Sequence, residues 1–181
     1  MNSTLEELRL SLGAFREHAS DPTVADAFLE LSHEGRHAFE RSRLQGHFTG
    51  SCWLVSRDGR RALLLHHRKL DRWLQPGGHA DGDMDLARVA LREASEETGL
   101  TGLRVEGGIF DIDRHRIPAR GEEPAHWHHD VRYVIRAGAT EHFAHNHESH
   151  AMAWREHAQI AADPTLDSSL RRMARRWLAR R

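Results

Sequence analysis

Two stretches in the first 45 residues have apolar residues at helical spacing. The first contains Leu5, Leu8 and Phe15 and follows two candidate capping boxes, Ser3-x-x-Glu6 and Thr4-x-x-Glu7. Asp21-Pro22 interrupts the pattern, and a second helical stretch covers about 23–43. The pattern therefore predicts an N-terminal helical extension that forms either an extra layer on the fold or a dimer contact.

From about residue 47 the pattern is typical of strands. FTGSCWLVS, at 48–56, is rich in aromatic and β-branched residues, and the turn dipeptide Asp58-Gly59 separates it from ALLLHH, at 62–67. A sharp, glycine-dependent turn is expected at 73–79. Further strands are expected at 103–113, 130–137 and 151–155. Strands that interleave with helices and hairpins predict an α/β fold, a mixed sheet with helices on both faces.

Two later helices complete the expected fold. Leu86 to about Thr98 is expected to be helical, with Asp85 as its N-cap and Gly99 as its C-cap. A last helix, from Asp167 onward, carries its apolar residues on one face: Leu170, Met173, Ala174, Trp177 and Leu178. Such a face can contact a membrane or RNA, but packing on the domain is commoner, so we expect a packing helix.

Composition narrows the classes of protein. The 181 residues fit one domain, the formal net charge is -1, and Cys52 is the single cysteine. No apolar run approaches the roughly 20 residues that span a bilayer. We expect a cytoplasmic protein without membrane or nucleic-acid partners. The unusual number is 16 histidines, seven of which lie between His126 and His150.

An acidic cluster lies on the helix predicted at 86–98. Glu93, Glu96 and Glu97 are spaced i, i+3 and i+4, so their carboxylates project from one face. Carboxylate oxygens are hard ligands that suit Mg²⁺ or Mn²⁺ together with substrate phosphates. Without other signals, the cluster could equally be a solvated acidic face.

The residues around this cluster resemble the Nudix box, G-x5-E-x7-R-E-U-x-E-E-x-G-U, where U is apolar. The positions that match in register are Gly78, Arg92, Glu93, Ala94, Glu96, Glu97, Gly99 and Leu100. The lead-in Leu74-x-Pro76-Gly77-Gly78 is also similar to that of the Nudix hydrolase superfamily. The resemblance covers roughly residues 47–160.

The resemblance implies a fold and an activity. The fold would be a Nudix-type α/β/α sandwich at 46–181 that includes the C-terminal packing helix, preceded by the extension at 1–45. The activity would be metal-dependent hydrolysis of a pyrophosphate linkage, usually in a nucleoside diphosphate derivative. Metal ions would neutralise the phosphate charge and activate water. The expected partner is a small phosphorylated molecule. The sequence itself does not indicate an oligomeric state, and a homodimer is expected only because dimers are the commonest oligomers.

Residue roles follow from the resemblance by position. Glu93 and Glu97 would be the principal metal ligands, and Glu96 would bind a further metal or assist through water. The carbonyl of Gly77 would be an additional ligand, and Arg92 would orient Glu93.

One position departs from the box, because Met84 replaces the first glutamate. In the family that glutamate helps to hold the box arginine and the loop. Asp81, Asp83 or Asp85 could substitute for it.

A glutamate outside the box resembles an additional family residue. Many relatives supply one from a loop shortly before a strand that contains Trp, and here Glu148 precedes Trp154 by six residues. We expect Glu148 to be an accessory metal ligand or the general base, against the alternative of an ordinary loop residue.

The histidine-rich segments resemble an uncharacterised bacterial group of the same superfamily, with PGGH, DIDxHxIP-like and HxHxDVR-like segments. His79, His126 and His128 are expected to border the site and contact phosphate or an extra metal, or else to be structural. Imidazole would favour a transition metal over Mg²⁺. The candidate phosphate contacts among the arginines are Arg114, Arg116 and Arg132.

Two other classes of protein remain alternatives. An isomerase of the isopentenyl-diphosphate type shares the fold but relies on a catalytic cysteine, and Cys52 lies far upstream of the box. A non-catalytic ligand sensor would have no need to keep all three glutamates.

Overall fold

The computed structural model describes residues 3–19, 21–144 and 149–180. The helices are α1 Ser3–Glu17, α2 Pro22–Ser32, α3 Leu86–Thr98, α4 His157–Ala162 and α5 Ser168–Leu178, with a 3₁₀ turn at Gly35–Phe39. The strands are β1 Gly46–Val55, β2 Arg61–His67, β3 Arg72–Leu74, β4 Gly77–His79, β5 Arg104–Ile117, β6 His126–Arg136 and β7 Ser149–Glu156. Among the described residues, no helix combines the length and apolar character needed to cross a membrane.

The seven strands form one mixed sheet, as expected. Its central order is β3-β2-β1-β6-β5, while β4 pairs with β1 and β7 pairs with β2. β1 and β6 run parallel along their whole length, and the other pairs are antiparallel. The start of β1 therefore lies between the end of β4 and the start of β6.

Two cores on opposite faces of the sheet confirm the α/β/α sandwich. Alternate residues of β1 divide between them, so that Phe48 and Cys52 join the core beneath α1, α2 and α3. Trp53 and Val55 join the second core, beneath α4 and α5. α5 buries four of its five expected apolar residues there, whereas Leu178 is 40% exposed.

The N-terminal helices pack on the same core as α3. Leu8 and Leu12 of α1 and Phe28 of α2 are buried in it. The division of the chain at 45/46 stays a prediction. The long helix expected at 23–43 is wrong, because α2 ends at Ser32 and Gly35 has a φ of +65°.

The glycine-dependent turn expected at 73–79 is also wrong. Residues 72–74 and 77–79 form β3 and β4 instead, and neither Gly77 nor Gly78 has a positive φ. These glycines are required for another reason, the close approach of neighbouring groups to β4.

Candidate active site

β4 leaves no room for side chains at its two glycines. A Cβ on Gly77 would lie 2.1 Å from the Cβ of Ser51 on β1. A Cβ on Gly78 would lie 2.5 Å from the carboxylate of Glu93 on α3. The backbone of β4 is therefore held between β1 and the acidic helix.

Two of the three clustered glutamates converge on this backbone. The Gly77 N–H donates to Oε2 of Glu97 at 2.9 Å. The Glu93 carboxylate lies against Gly78 and accepts from Nη2 of Arg92 at 2.8 Å. Glu96, in contrast, is exposed on α3. Gly77, Glu93 and Glu97 thus come together, as the spacing predicts for one helix face.

Arg92 links the helix to the end of β4. Its Nη2 also donates to the carbonyl oxygen of His79 at 3.0 Å, while the guanidinium holds Glu93. This geometry agrees with the orienting role expected for Arg92, although that role stays a prediction.

The loop before α3 is held without the glutamate that Met84 replaces. Asp81 accepts from Nε and Nη2 of Arg41, each at 2.6 Å, and the Gly82 N–H donates to the Phe39 carbonyl at 2.9 Å. Met84 packs against the core near α3. Arg41 and Phe39 precede the strands, so the N-terminal segment helps to position the loop.

None of the three aspartates takes over the missing glutamate's contact with the box arginine. In the structure Asp81 pairs with Arg41, Asp83 pairs with Arg88, and Asp85 caps α3. Asp81 and Asp83 hold the loop through Arg41 and Arg88 rather than through Arg92, and the substitution of an aspartate for the missing glutamate stays a prediction.

Replacing Gly78 with Ala is expected to lower kcat/KM for the hydrolysis that the family resemblance implies by about 100-fold. The new Cβ must displace the Glu93 carboxylate, and a small displacement of a group at a reacting centre has a large effect on rate. Gly108→Ala is the matched control, since that strand glycine has nothing within 4 Å of the added Cβ. Steady-state kinetics with circular dichroism checks both variants. Native kinetics in Gly78→Ala would contradict the placement of Glu93.

The predicted histidines lie on two strands, β4 and β6, which both pair with β1. His126 and His128 share one face of β6, with their Nε2 atoms 3.0 Å apart, and His79 at the end of β4 lies with its ring 5.1 Å from that of His128. His47, at the start of β1, was not among the residues predicted from the sequence to lie at the site. It lies 5.1 Å from His79, ring to ring, and is 1% exposed.

Burial disfavours the charged form of three of these rings, those of His47, His79 and His128. Desolvation, reinforced by the neighbouring imidazoles, lowers the pKa of His128 to about 2. Burial likewise lowers the pKa of His47 to about 4 and lowers that of His79. Neutral imidazole is the form that binds metals, whereas an anionic phosphate would favour the protonated form.

The three predicted arginines do not line one surface with the histidines. Arg132 is 2% exposed and pairs with Asp130 at 2.7 Å and Asp111 at 3.2 Å. This burial contradicts a phosphate contact for Arg132. Arg114 instead contacts His129 and the ring of Trp127, on the opposite face of β6 from the histidine pair.

Two further expectations stay predictions. Arg116 is exposed on β5, so its access to a phosphate is open but untested. Glu148 lies outside the described residues, in the gap at 145–148.

An acidic helix face thus lies against the Gly77–Gly78 backbone of an α/β/α sandwich, and comparison with known proteins identifies the family. The model of the NUDIX domain family matches residues 47–177. A Mycobacterium tuberculosis protein provisionally named 8-oxo-dGTP diphosphatase 3 is 31% identical over 112 residues, 59% of this chain and 50% of that protein. The chain thus spans about half the length of the curated relatives it matches.

Solved structures show the same fold at low identity. A MutT protein from Methanosarcina mazei superposes with a TM-score of 0.58 and 19% identity, over 76% of this chain and 96% of that one. A Caenorhabditis elegans Ap4A hydrolase gives 0.57 and 19%, over 73% and 95%. With the family model matching well over half of its length, this chain belongs to the NUDIX family.

Proposed function

We propose that this chain hydrolyses a pyrophosphate linkage in a nucleoside diphosphate derivative, with divalent metal ions held by Glu93 and Glu97. The observation that carries the proposal is the convergence of these two carboxylates on the Gly77-Gly78 backbone. The two carboxylates supply oxygen ligands of the kind that Mg²⁺ or Mn²⁺ prefers, and the match to the NUDIX family supports the same interpretation.

The chemistry and the position of these residues fit such ions. A side chain at Gly78 would displace Glu93, so the glycine keeps the carboxylate next to the strand backbone. The Gly77 carbonyl is a further candidate ligand on the same strand. Bound metal ions supply charge neutralisation and an activated water.

The chain's own residues supply orientation. Arg92 fixes the Glu93 carboxylate and ties it to the His79 carbonyl. The Gly77 N–H fixes one oxygen of Glu97. Glu96 projects from the same helix into solvent, where it would bind a further metal or assist through water. Glu148 is proposed as an accessory ligand or as the base.

The isomerase alternative is disfavoured by the environment of Cys52. Its side chain is fully buried, and burial, reinforced by Glu97, raises the pKa of the thiol well above its ordinary value. A buried, protonated thiol is poorly suited to react with a substrate.

The proposal is tested by incubating the protein with Mg²⁺ or Mn²⁺ and a substrate panel. The panel contains 8-oxo-dGTP, Ap4A, nucleoside triphosphates, nucleotide sugars and isopentenyl diphosphate, with products identified by mass spectrometry. We expect a nucleoside monophosphate or diphosphate to appear only with metal. Isomerised isopentenyl diphosphate, or binding without turnover across the panel, would contradict hydrolysis. The cytoplasmic location and the homodimer stay predictions.

A further inference from the structure

Four histidines converge where β1, β4 and β6 meet. The strand register explains this, because His47 pairs with His128 across β1 and β6, and His79 pairs with Thr49, which shares a face with His47. His126 lies two residues before His128 and so faces the same way. One nitrogen from each ring lies within 4.8 Å of every other.

Backbone carbonyls set the orientation of two of the rings. Nδ1 of His126 lies 2.9 Å from the Pro124 carbonyl, and Nδ1 of His47 lies 3.4 Å from the Arg43 carbonyl. A carbonyl only accepts, so each Nδ1 carries the proton and each Nε2 presents a lone pair to the cluster. Metal-ligating histidines are oriented in this way.

One lone pair in the cluster has no partner among the described residues. Nε2 of His47 is buried and makes no hydrogen bond there. An unsatisfied buried polar atom costs about 1–3 kcal/mol, so such an atom points to a missing ligand. A phosphate would meet a lone pair rather than a proton at Nε2 of His47, whereas a cation would satisfy it. Nε2 of His126 accepts from Nε2 of His128 at 3.0 Å, so binding of a cation requires the His128 proton to move from that nitrogen.

We propose that His47, His79, His126 and His128 form a closed site for Zn²⁺ or a similar divalent transition-metal ion. Four imidazole nitrogens are a donor set that suits such metals better than Mg²⁺. With four protein ligands the site has no open position, which is typical of structural rather than catalytic zinc.

The present geometry needs only a modest contraction to complete the site. Tetrahedral zinc with bonds of about 2.0–2.1 Å places its ligand atoms about 3.4 Å apart. The Nε2 atoms of His126 and His128 are already 3.0 Å apart, and the ligand atoms of all four rings lie within 4.8 Å of one another. Rotation of the His79 and His128 rings can close the remainder, because no hydrogen bond to a backbone carbonyl fixes either ring in the described residues.

The bound ion would help to position the neighbouring glutamates, because it would hold the end of β4 in place. His79 is the last residue of β4, and its carbonyl accepts from Arg92. Fixing the His79 ring to β1 and β6 would therefore hold the strand that carries Gly77 and Gly78. This positioning role rests on the proposed function, whereas metal binding itself does not.

Metal content of the full-length protein tests the site. After chelator treatment and dialysis against Zn²⁺, we expect about one tightly bound zinc per chain, resistant to excess Mg²⁺. Replacing Zn²⁺ with Co²⁺ should give the intense visible absorption of tetrahedral cobalt. Absence of tight zinc, or weak octahedral cobalt absorption in the native protein, would overturn the proposal.

Variants locate the ion. His126→Gln and His128→Gln should each lose the stoichiometric zinc and the tetrahedral cobalt spectrum. His129→Gln is the matched control, since His129 is also buried on β6 but packs against Phe28 on the opposite face. It should retain both signals. Unchanged zinc in both cluster variants would overturn the assignment, and the native cobalt spectrum decides the proposal even if these variants fail to fold.

One more variant separates the two proposals. Glu93→Gln should retain the zinc and the cobalt spectrum while losing hydrolysis. Loss of the tetrahedral spectrum in Glu93→Gln would overturn a separate histidine site. If the native protein binds zinc but hydrolyses nothing in the panel, the proposed function fails and the histidine site stands.

Discussion

Glu97→Gln is expected to lower kcat/KM by more than about 100-fold, because even residues that only support metal ligands cost roughly 10–100-fold when replaced. The glutamine side chain keeps an oxygen to accept from the Gly77 N–H, so the backbone contact can persist. What is lost is the negative charge that a divalent ion requires. Glu93→Gln should have an effect of similar size, with the added loss of the Arg92 ion pair.

Steady-state kinetics at saturating Mg²⁺, repeated with Mn²⁺, measure this effect. Glu30→Gln is the matched control, because Glu30 is an exposed helix glutamate on α2. Its activity and metal dependence should be native. If Glu93→Gln and Glu97→Gln both kept native rates, the roles assigned to the acidic helix would be wrong.

Arg132→Met is expected to lower the free energy of unfolding by about 3–5 kcal/mol, the usual cost of removing one partner from a buried ion pair. The substitution leaves Asp130 and Asp111 buried without the guanidinium between them. Asp111 keeps Arg172 at 2.7 Å, and Asp130 keeps the hydroxyl of Ser51 at 2.7 Å, so part of the network survives.

Urea denaturation of Arg132→Met and of the native protein measures the difference. The control is Arg116→Met, an exposed arginine on the adjacent strand, which should change stability by less than about 0.5 kcal/mol. A loss below about 1 kcal/mol in Arg132→Met would show that the remaining hydrogen bonds satisfy the stranded carboxylates.

The acidic site could be predicted from the sequence because it is local. Glu93 and Glu97 share a helix face because they are four residues apart. The number of residues between Gly78 and Glu93 matches the Nudix box. The sequence did not show why residues 77 and 78 must be glycine. A Gly-Gly pair usually indicates a turn, whereas here both residues are extended, and contact with Ser51 and Glu93 excludes a side chain.

Two residues that the sequence did not place correctly, His47 and Arg132, depend on long-range strand pairing. His47 joins the histidine cluster only because β1 runs parallel to β6, which places it beside His128 across about 80 residues of sequence. Strand alternation places His47 on the same face as Thr49 and Ser51 but does not say which strand lies beside it. Arg132 looked available to a phosphate until the pairing of β5 with β6 placed Asp111 beside it.

The loop around Met84 also could not be predicted from local sequence spacing. The sequence offers three aspartates near the missing glutamate, and each finds a different partner in the structure. Arg41, which holds Asp81, lies 40 residues earlier in the chain. Local spacing could not predict that an N-terminal segment would hold the loop before α3.

Isotope incorporation tests the proposed attack of water on a phosphorus atom of the pyrophosphate linkage, at the metal site proposed for Glu93 and Glu97. The reaction is run with Mg²⁺ in ¹⁸O-labelled water on the best substrate of the panel, and the products are examined by mass spectrometry. We expect one ¹⁸O atom in a phosphate-containing product for each bond cleaved, and little product with Glu97→Gln. Consumption of substrate with its diphosphate intact and unlabelled would contradict the proposed attack of water.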